Sequence, residues 1–234
     1  MAMNIMLDFN LPLPLFPLPS CVLLPHATIP LHIFEPRYRQ MTADALAGNR
    51  MISMAMFDGP AWKQDYHATP PLRDHVCVGY IVRHEDLPDG RYNILLQGLC
   101  RAKIELEEVD EPLLYRRAYL QPTEIPSNEE SQDIELQAQR QIMLNLLHDP
   151  LLKQLTAVNS IHQWLNDEIH TQALIDLGMM TLCEESEPRY AMLKESNVLM
   201  RARMFIDLLS ATRRTMKLAN RFAPPELLDH MHMN

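Results

Sequence analysis

Proline and glycine punctuate the first half of this chain and nearly vanish from the second, and that break constrains the fold more than any other feature. Seven prolines lie between Leu11 and Pro36 alone, whereas Leu, Met, Gln and Glu dominate from Asp133 onward. Proline removes a backbone donor from helix interiors and sheet ladders, so a stretch without it is free to continue as helix. Short extended runs bounded by turns fill the chain to residue 122, and helical periodicity runs from 127 to 222. Strands and helices segregated in this way predict an α+β protein, not a doubly wound sheet. The expected organisation is a β-rich subdomain over residues 11–122 followed by an all-helical subdomain over 127–222.

Within the first half, Leu15, Phe16, Val22, Leu23 and Leu24 stand between the prolines and predict edge strand and extended coil pinned onto a core. Large apolar residues at this density favour burial over a polyproline ligand. Leu31-His32-Ile33-Phe34-Glu35-Pro36-Arg37-Tyr38 then turns from strand to helix. Pro36 suits the first helical position, Tyr38, Met41, Ala45 and Leu46 recur near the helical period, and Gly48 supplies the stop. Glu35 lies where the helix dipole favours a negative charge, and Phe34 and Tyr38 are expected to fasten the helix to the sheet. Met51–Phe57 is a strand-length apolar run ended by Asp58-Gly59-Pro60, and Val76–Val82 is apolar on both parities, as in a strand covered on both faces. Pro88-Asp89-Gly90-Arg91 predicts a turn leading into Tyr92–Leu96. Cys100, Ala102, Ile104 and Leu106 alternate with Arg101, Lys103, Glu105 and Glu107, which predicts one inward and one solvated face. Gly98 marks a bulge or bend of the kind found at the corner of a small barrel. A last strand is expected around Leu114–Leu120.

In the second half, Ser127-Asn128-Glu129-Glu130 matches a capping box. Ile134, Ala138, Ile142 and Leu146 form a helical stripe widened by Met143 and Leu147. Shorter helices are expected over Leu151–Val158, Ile161–Glu168 and Thr171–Leu182, and another opens at Pro188. Ser196 caps a long helix with Val198, Ala202, Phe205, Ile206 and Leu209 on one face, ended by Pro224-Pro225.

No glycine is followed by lysine, and no G-x-G-x-x-G, G-x-S-x-G or H-E-x-x-H occurs, so nucleotide cradling and the common hydrolase sites find no support. The ten histidines are dispersed. His26 and His32 flank a turn, His67 and His75 bracket a loop, His162 and His170 are separated by a helical segment, and His230 and His232 sit in the tail. None has compact ligand spacing beside a carboxylate, so no metal or other cofactor is expected. Cys21, Cys77, Cys100 and Cys183 lie far apart without a C-x-x-C pair, which suits reduced thiols in a cytoplasmic protein. Prolines and Asp8 interrupt the apolar start, so no leader is expected, and no apolar run is long enough for a membrane span.

Two surfaces carry candidate functions. Met54, Met56, Phe57, Trp62 and Tyr66 gather flexible thioethers and aromatic rings, suited to accepting varied apolar sequences. Arg201, Arg203, Arg213 and Arg214 on the long helix, or the basic side of the Cys100–Leu106 strand, could contact RNA. The net charge of −9 argues against nucleic acid, because phosphate binding needs clustered cations.

Three groups of residues together resemble the start of the Lon protease N-terminal domain. They are Leu13-Pro14-Leu15-Phe16-Pro17-Leu18, Val22-Leu23-Leu24-Pro25, and Leu31-His32-Ile33-Phe34-Glu35-Pro36-Arg37-Tyr38-Arg39-Gln40-Met41. Val78-Gly79, Asp89-Gly90-Arg91-Tyr92 and Leu96-Gln97-Gly98-Leu99-Cys100-Arg101-Ala102-Lys103-Ile104 are similar to its later strand motifs, in the same order. The resemblance covers residues 11–122 and implies a PUA-like β pseudo-barrel followed by a helical bundle. It implies a non-enzymatic module that binds hydrophobic or unfolded polypeptide segments or a protease partner, at a groove between the two subdomains. The ATPase and peptidase residues of Lon have no counterparts among these 234 residues. An RNA-binding PUA-like protein is the alternative expectation.

Overall fold

Residues 7–64, 66, 69–108, 113–123, 130–165 and 169–222 are described by the computed structural model, in which the chain forms two compact units. The first unit comprises Met1–Pro126 and Glu184–Asn197, and the second Ser127–Cys183 and Val198–Asn234. Packing therefore departs from the sequence order: a stretch expected in the helical half clusters with the strands.

The first unit is a six-stranded mixed sheet. Its strands are β1 (Leu13–Leu18), β2 (Thr28–Ile33), β3 (Met51–Met56), β4 (His75–Asp86), β5 (Tyr92–Glu108) and β6 (Arg116–Pro122), in the order β2-β5-β4-β3-β1-β6. β5 also pairs with β6, which closes five of the strands into a pseudo-barrel. Leu13, Leu15, Met51, Ala55, Val76, Val78, Ala102, Ala118 and Leu120 fill one buried cluster of this unit. Proline-bearing β2 lies at the open end of the order, as an edge strand should. β1, also proline-rich, does not: it lies between β3 and β6, in short ladders of Leu15–Leu18 against Ser53–Met56 and Leu13–Leu15 against Arg116–Ala118. Burial of Leu13, Leu15 and Phe16 offsets the missing donors.

The runs expected over Tyr92–Leu96 and Cys100–Leu106 are one bent strand, β5. Val78 stands opposite Cys100 while Gly79 stands opposite Gly98, so the ladder slips by one residue at Leu99. Gly98 is the bend, where its N–H donates to the Ala27 carbonyl at 2.8 Å and its carbonyl accepts from the His26 N–H at 2.9 Å.

Helix α1 (Pro36–Ala47) has the bounds its caps predict and buries Tyr38, Met41, Thr42 and Ala45. Tyr38 meets Phe16 edge to face at 4.5 Å and donates to the Pro17 carbonyl at 3.3 Å. Phe34, expected to help fasten this helix, is instead 58% exposed and stacks on His32. Helix α5 (Ser186–Lys194) completes the unit. Arg101, expected on the solvated face of its strand, is fully buried, and its Nε donates to the Met192 carbonyl of α5 at 3.4 Å. Strand parity alone cannot show that a distant helix covers that face.

The second unit contains α2 (Glu130–Leu147), α3 (Thr156–Leu165), α4 (Thr171–Leu182) and α6 (Val198–Phe222). A single 3₁₀ turn at Leu152–Gln154 and α3 replace the two short helices expected between Leu151 and Glu168. On α6, Val198, Ala202, Phe205 and Leu209 are buried as the periodicity predicts. The stripe on α2 is corrected in part: Ile134 and Ile142 are exposed at 67% and 48%, and the face turned inward is that of Met143 and Leu147, expected only to widen the stripe, together with Gln139. That face is one residue out of register with the expected stripe, a rotation of about 100° around the helix. The capping box at 127–129, the tail prolines and the tail histidines lie outside the described residues. Among the described residues no helix is long and apolar enough to cross a membrane.

Candidate functional site

The start of α1 and the loop leaving β3 meet in one aromatic assembly. Pro36 sets the first helical turn with Glu35 extended at the N-cap, yet the Glu35 side chain does not cap the helix. Its carboxylate accepts instead from Arg37 Nε at 3.1 Å and from the Tyr66 phenol at 3.0 Å. Arg37 Nη1 donates to the Tyr66 carbonyl at 3.2 Å, and the guanidinium lies 4.5 Å from the Tyr38 ring centre and 4.4 Å from that of Tyr66. Phe57 stacks on Trp62 at 6.0 Å, and both meet Tyr66 nearly edge-on, at 5.8 and 6.3 Å. Contacts of these kinds are each worth about 0.5–1.5 kcal/mol, so together they hold the loop rings against the helix start. Burial and the hydrogen bond to Glu35 push the Tyr66 phenol up; burial does the same to Tyr38.

The five residues singled out in the sequence thus divide. Trp62 and Tyr66 are partly exposed on the loop, whereas Met54, Met56 and Phe57 are buried at 2%, 6% and 3% exposure. Every residue of β3 is buried: Met51 and Ala55 belong to the buried cluster, and α1 packs against the same strand. The two methionines are core residues and cannot touch a ligand directly. Phe57 acts from beneath, as the ring on which Trp62 rests.

Beside this assembly the loop is closed by Asp58 N–H donating to the Pro71 carbonyl at 2.8 Å and by a bridge between Phe57 and Leu72. An open cleft of about 370 Å³ follows, lined by Asp58, Leu72, Arg73, Asp74 and Tyr190. Arg73 forms a two-point ion pair with Glu187, at 2.9 and 2.6 Å, and lies 4.6 Å from the Tyr190 ring centre. The Tyr190 phenol donates to Asp74 at 3.3 Å and accepts from the His75 backbone N–H at 3.1 Å. His75 Nδ1 is 2.7 Å from the same carboxylate, and Lys103 Nζ is 3.6 Å from its other oxygen. Burial raises Asp74, but the hydrogen bonds and charges of His75, Tyr190 and Lys103 outweigh it and hold the carboxyl below its usual range. Nothing in the sequence pointed to this cleft, because Tyr190 lies over a hundred residues from Asp74 and only the return of α5 joins them.

Burial, opposed by the His75 N–H and reinforced by Asp74, pushes the Tyr190 phenol up to about 12. A free tyrosine ionises near pH 10. This group's contribution is therefore complete below about pH 10 and is lost as pH rises toward 12, because the unfolded chain releases its proton first. Tyr190→Phe is expected to make the urea midpoint fall less steeply across that interval than in the parent protein.

The cations considered for RNA are largely engaged within the fold. Arg201 and Arg101 are buried, Arg203 pairs with Glu135 at 2.7 Å, Arg213 pairs with Asp149 at 2.6 Å, and Lys103 faces Asp74. Arg214 is exposed. His67 lies outside the described residues.

Comparison with known proteins agrees with this architecture. The family described as the ATP-dependent protease La (LON) substrate-binding domain matches residues 12–211. A Lon protease of Trichlorobacter lovleyi is 36% identical over 96 residues, and one of Dictyoglomus thermophilum is 32% identical over 96 residues. Each alignment covers 39% of this chain, which spans 11% of the relative's length. Among solved structures, the N-terminal domain of a Mycobacterium avium complex Lon protease superposes with a TM-score of 0.63 at 16% identity, covering 85% of this chain and 98% of that one. A Lon N-terminal domain protein from Xanthomonas campestris gives 0.55 at 18% identity, covering 84% and 98%. At these identities the structures speak for the fold alone, while the family match takes in most of the sequence: the chain belongs to the LON substrate-binding domain family.

Proposed function

We propose that the first unit is a recognition module that captures exposed apolar segments of unfolded polypeptides, with Trp62 and Tyr66 as the contact residues and no bond-breaking chemistry of its own. The observation that carries this reading is the pair of partly exposed rings held on a rigid base by Phe57, Arg37 and Glu35. Rings fixed in advance lose little freedom on binding, and aromatic anchors dominate peptide interfaces. Met54, Met56 and Phe57 serve the site as packing beneath it. Family membership supports substrate recognition as the role, and a Lon-type protease is the proposed recipient of the captured chain.

The test is the Kd of a fluorescently labelled, permanently unfolded model polypeptide. Trp62→Ala and Tyr66→Ala are each expected to weaken it about tenfold, corresponding to about 1.4 kcal/mol. Unchanged affinity in the double variant, with far-UV circular dichroism intact, would show that the rings are not the contact.

A further inference from the structure

The second unit brings together two histidines whose separation in sequence conceals them. His148 follows the last turn of α2, and His162 lies on α3. Their ring centres are 4.8 Å apart with the planes inclined by 69°. Each ring is hydrogen-bonded to a carbonyl of the last turn of α2: His148 Nδ1 donates to Leu144 O at 2.7 Å, and His162 Nε2 donates to Leu147 O at 2.9 Å. A carbonyl can only accept, so both bonds require a proton on the nitrogen that makes them. That assigns the tautomers, leaving His148 Nε2 and His162 Nδ1 with free lone pairs in the neutral rings.

We propose that this pair is a divalent transition-metal site, of the zinc class, using His148 Nε2 and His162 Nδ1 as its two protein ligands. Two lines of geometry carry the assignment. Ligand histidines ordinarily donate their second ring N–H to a backbone carbonyl or carboxylate, which fixes tautomer and orientation, and both rings here already do so. Two imidazoles bound through nitrogen to one ion at about 2.1 Å, at angles between square and tetrahedral, hold their ring centres about 5 Å apart. The observed 4.8 Å separation falls within that range. Among the described residues no cluster of three or more His, Cys, Asp or Glu is found, so the proposal is of two protein ligands with the other positions open to water. The neighbouring Asp149 is engaged with Arg213 at 2.6 Å and with the Leu151 N–H at 2.9 Å. Metal held here would tie the last turn of α2 to α3 and raise the stability of this unit by mass action.

The experiment uses the full chain carrying His230→Ala and His232→Ala, so that the tail histidines contribute nothing, and titrates Zn²⁺ alone against a chromophoric zinc indicator. One saturable site is expected, weakened at least about tenfold by His148→Ala and likewise by His162→Gln. His148 is exposed, so its replacement leaves the fold intact, which helical circular dichroism verifies. Absence of saturable binding, or an affinity unmoved by loss of His148, overturns the proposal and leaves the contact as an edge-to-face ring pair. Loss of all binding with the tail substitutions alone would show adventitious tail coordination and overturn it equally.

Discussion

Gly98→Ala is expected to lower the thermal midpoint of the barrel unit by about 6–12 °C, corresponding to about 3 kcal/mol or more. A Cβ built at this position would overlap the carbonyl oxygen of Leu24 and approach the Cys77 sulfur to 3.0 Å. The overlapped atom is backbone, so no rotamer change relieves the clash. Moving the strand away would break the reciprocal bonds of Gly98 with Ala27 and His26, each worth about 1 kcal/mol net. It would also disturb the slip at Leu99 that lets β5 serve two ladders. Gly59→Ala is the control: its φ is +63° but nothing lies within 4 Å of the added methyl, so only about 1 kcal/mol of left-handed strain is expected. Near-UV circular dichroism during heating separates the two, and equal midpoints for both variants would refute the close-approach account.

In the helical unit the corresponding close approach is between Gly178 of α4 and the Phe205 ring of α6. Phe205 is fully buried, and a methyl at residue 178 would overlap its outer ring atoms. Gly178→Ala should therefore cost about 1–3 kcal/mol by overpacking. Phe205→Ala should cost about 3–5 kcal/mol through the cavity it opens. The two penalties should not add. With the ring gone, the methyl at 178 occupies part of the void, so the double variant should be more stable than the sum of the single losses predicts. Urea unfolding followed by helical circular dichroism measures all three, and strict additivity would mean that the two residues do not share one space.

These two glycines differ in how plainly the sequence exposed them. Gly98 stood before a clean alternation of apolar and polar residues, and a lone glycine at a strand bend has few roles, so a corner was legible. Gly178 sits inside a helical pattern, where nothing local distinguishes a close helix crossing from tolerated flexibility. The same contrast runs through the candidate site. Pro36 and Gly48 act through backbone geometry, which is local, and α1 has the predicted bounds. Whether a face is covered depends on elements far away in the chain. Strand parity puts Arg101 in water because it cannot show the return of α5, and on α2 apolar content alone does not separate the exposed Ile134 and Ile142 from the buried Met143 and Leu147. Met54 and Met56 suggested an adaptable surface by composition, but β3 is buried along its whole length. Trp62 and Tyr66 are legible by residue type, whereas Glu35 reads as the start of a helix and, with Arg37, also braces the rings.

The discontinuity of the first unit has a bearing on how this protein is made. Its strands are complete by Pro122, yet the segment that covers Arg101 and supplies Tyr190 belongs to Glu184–Asn197. Everything between is the first stretch of the other unit. On a ribosome the strands emerge several seconds before their last helix does. During that interval the guanidinium of Arg101 lacks the helix that covers it and stays hydrated, so its desolvation is deferred until that helix arrives. Burial of that guanidinium is therefore completed only once the chain has passed Asn197, so the first unit cannot reach its final packing before the first stretch of the second has been made.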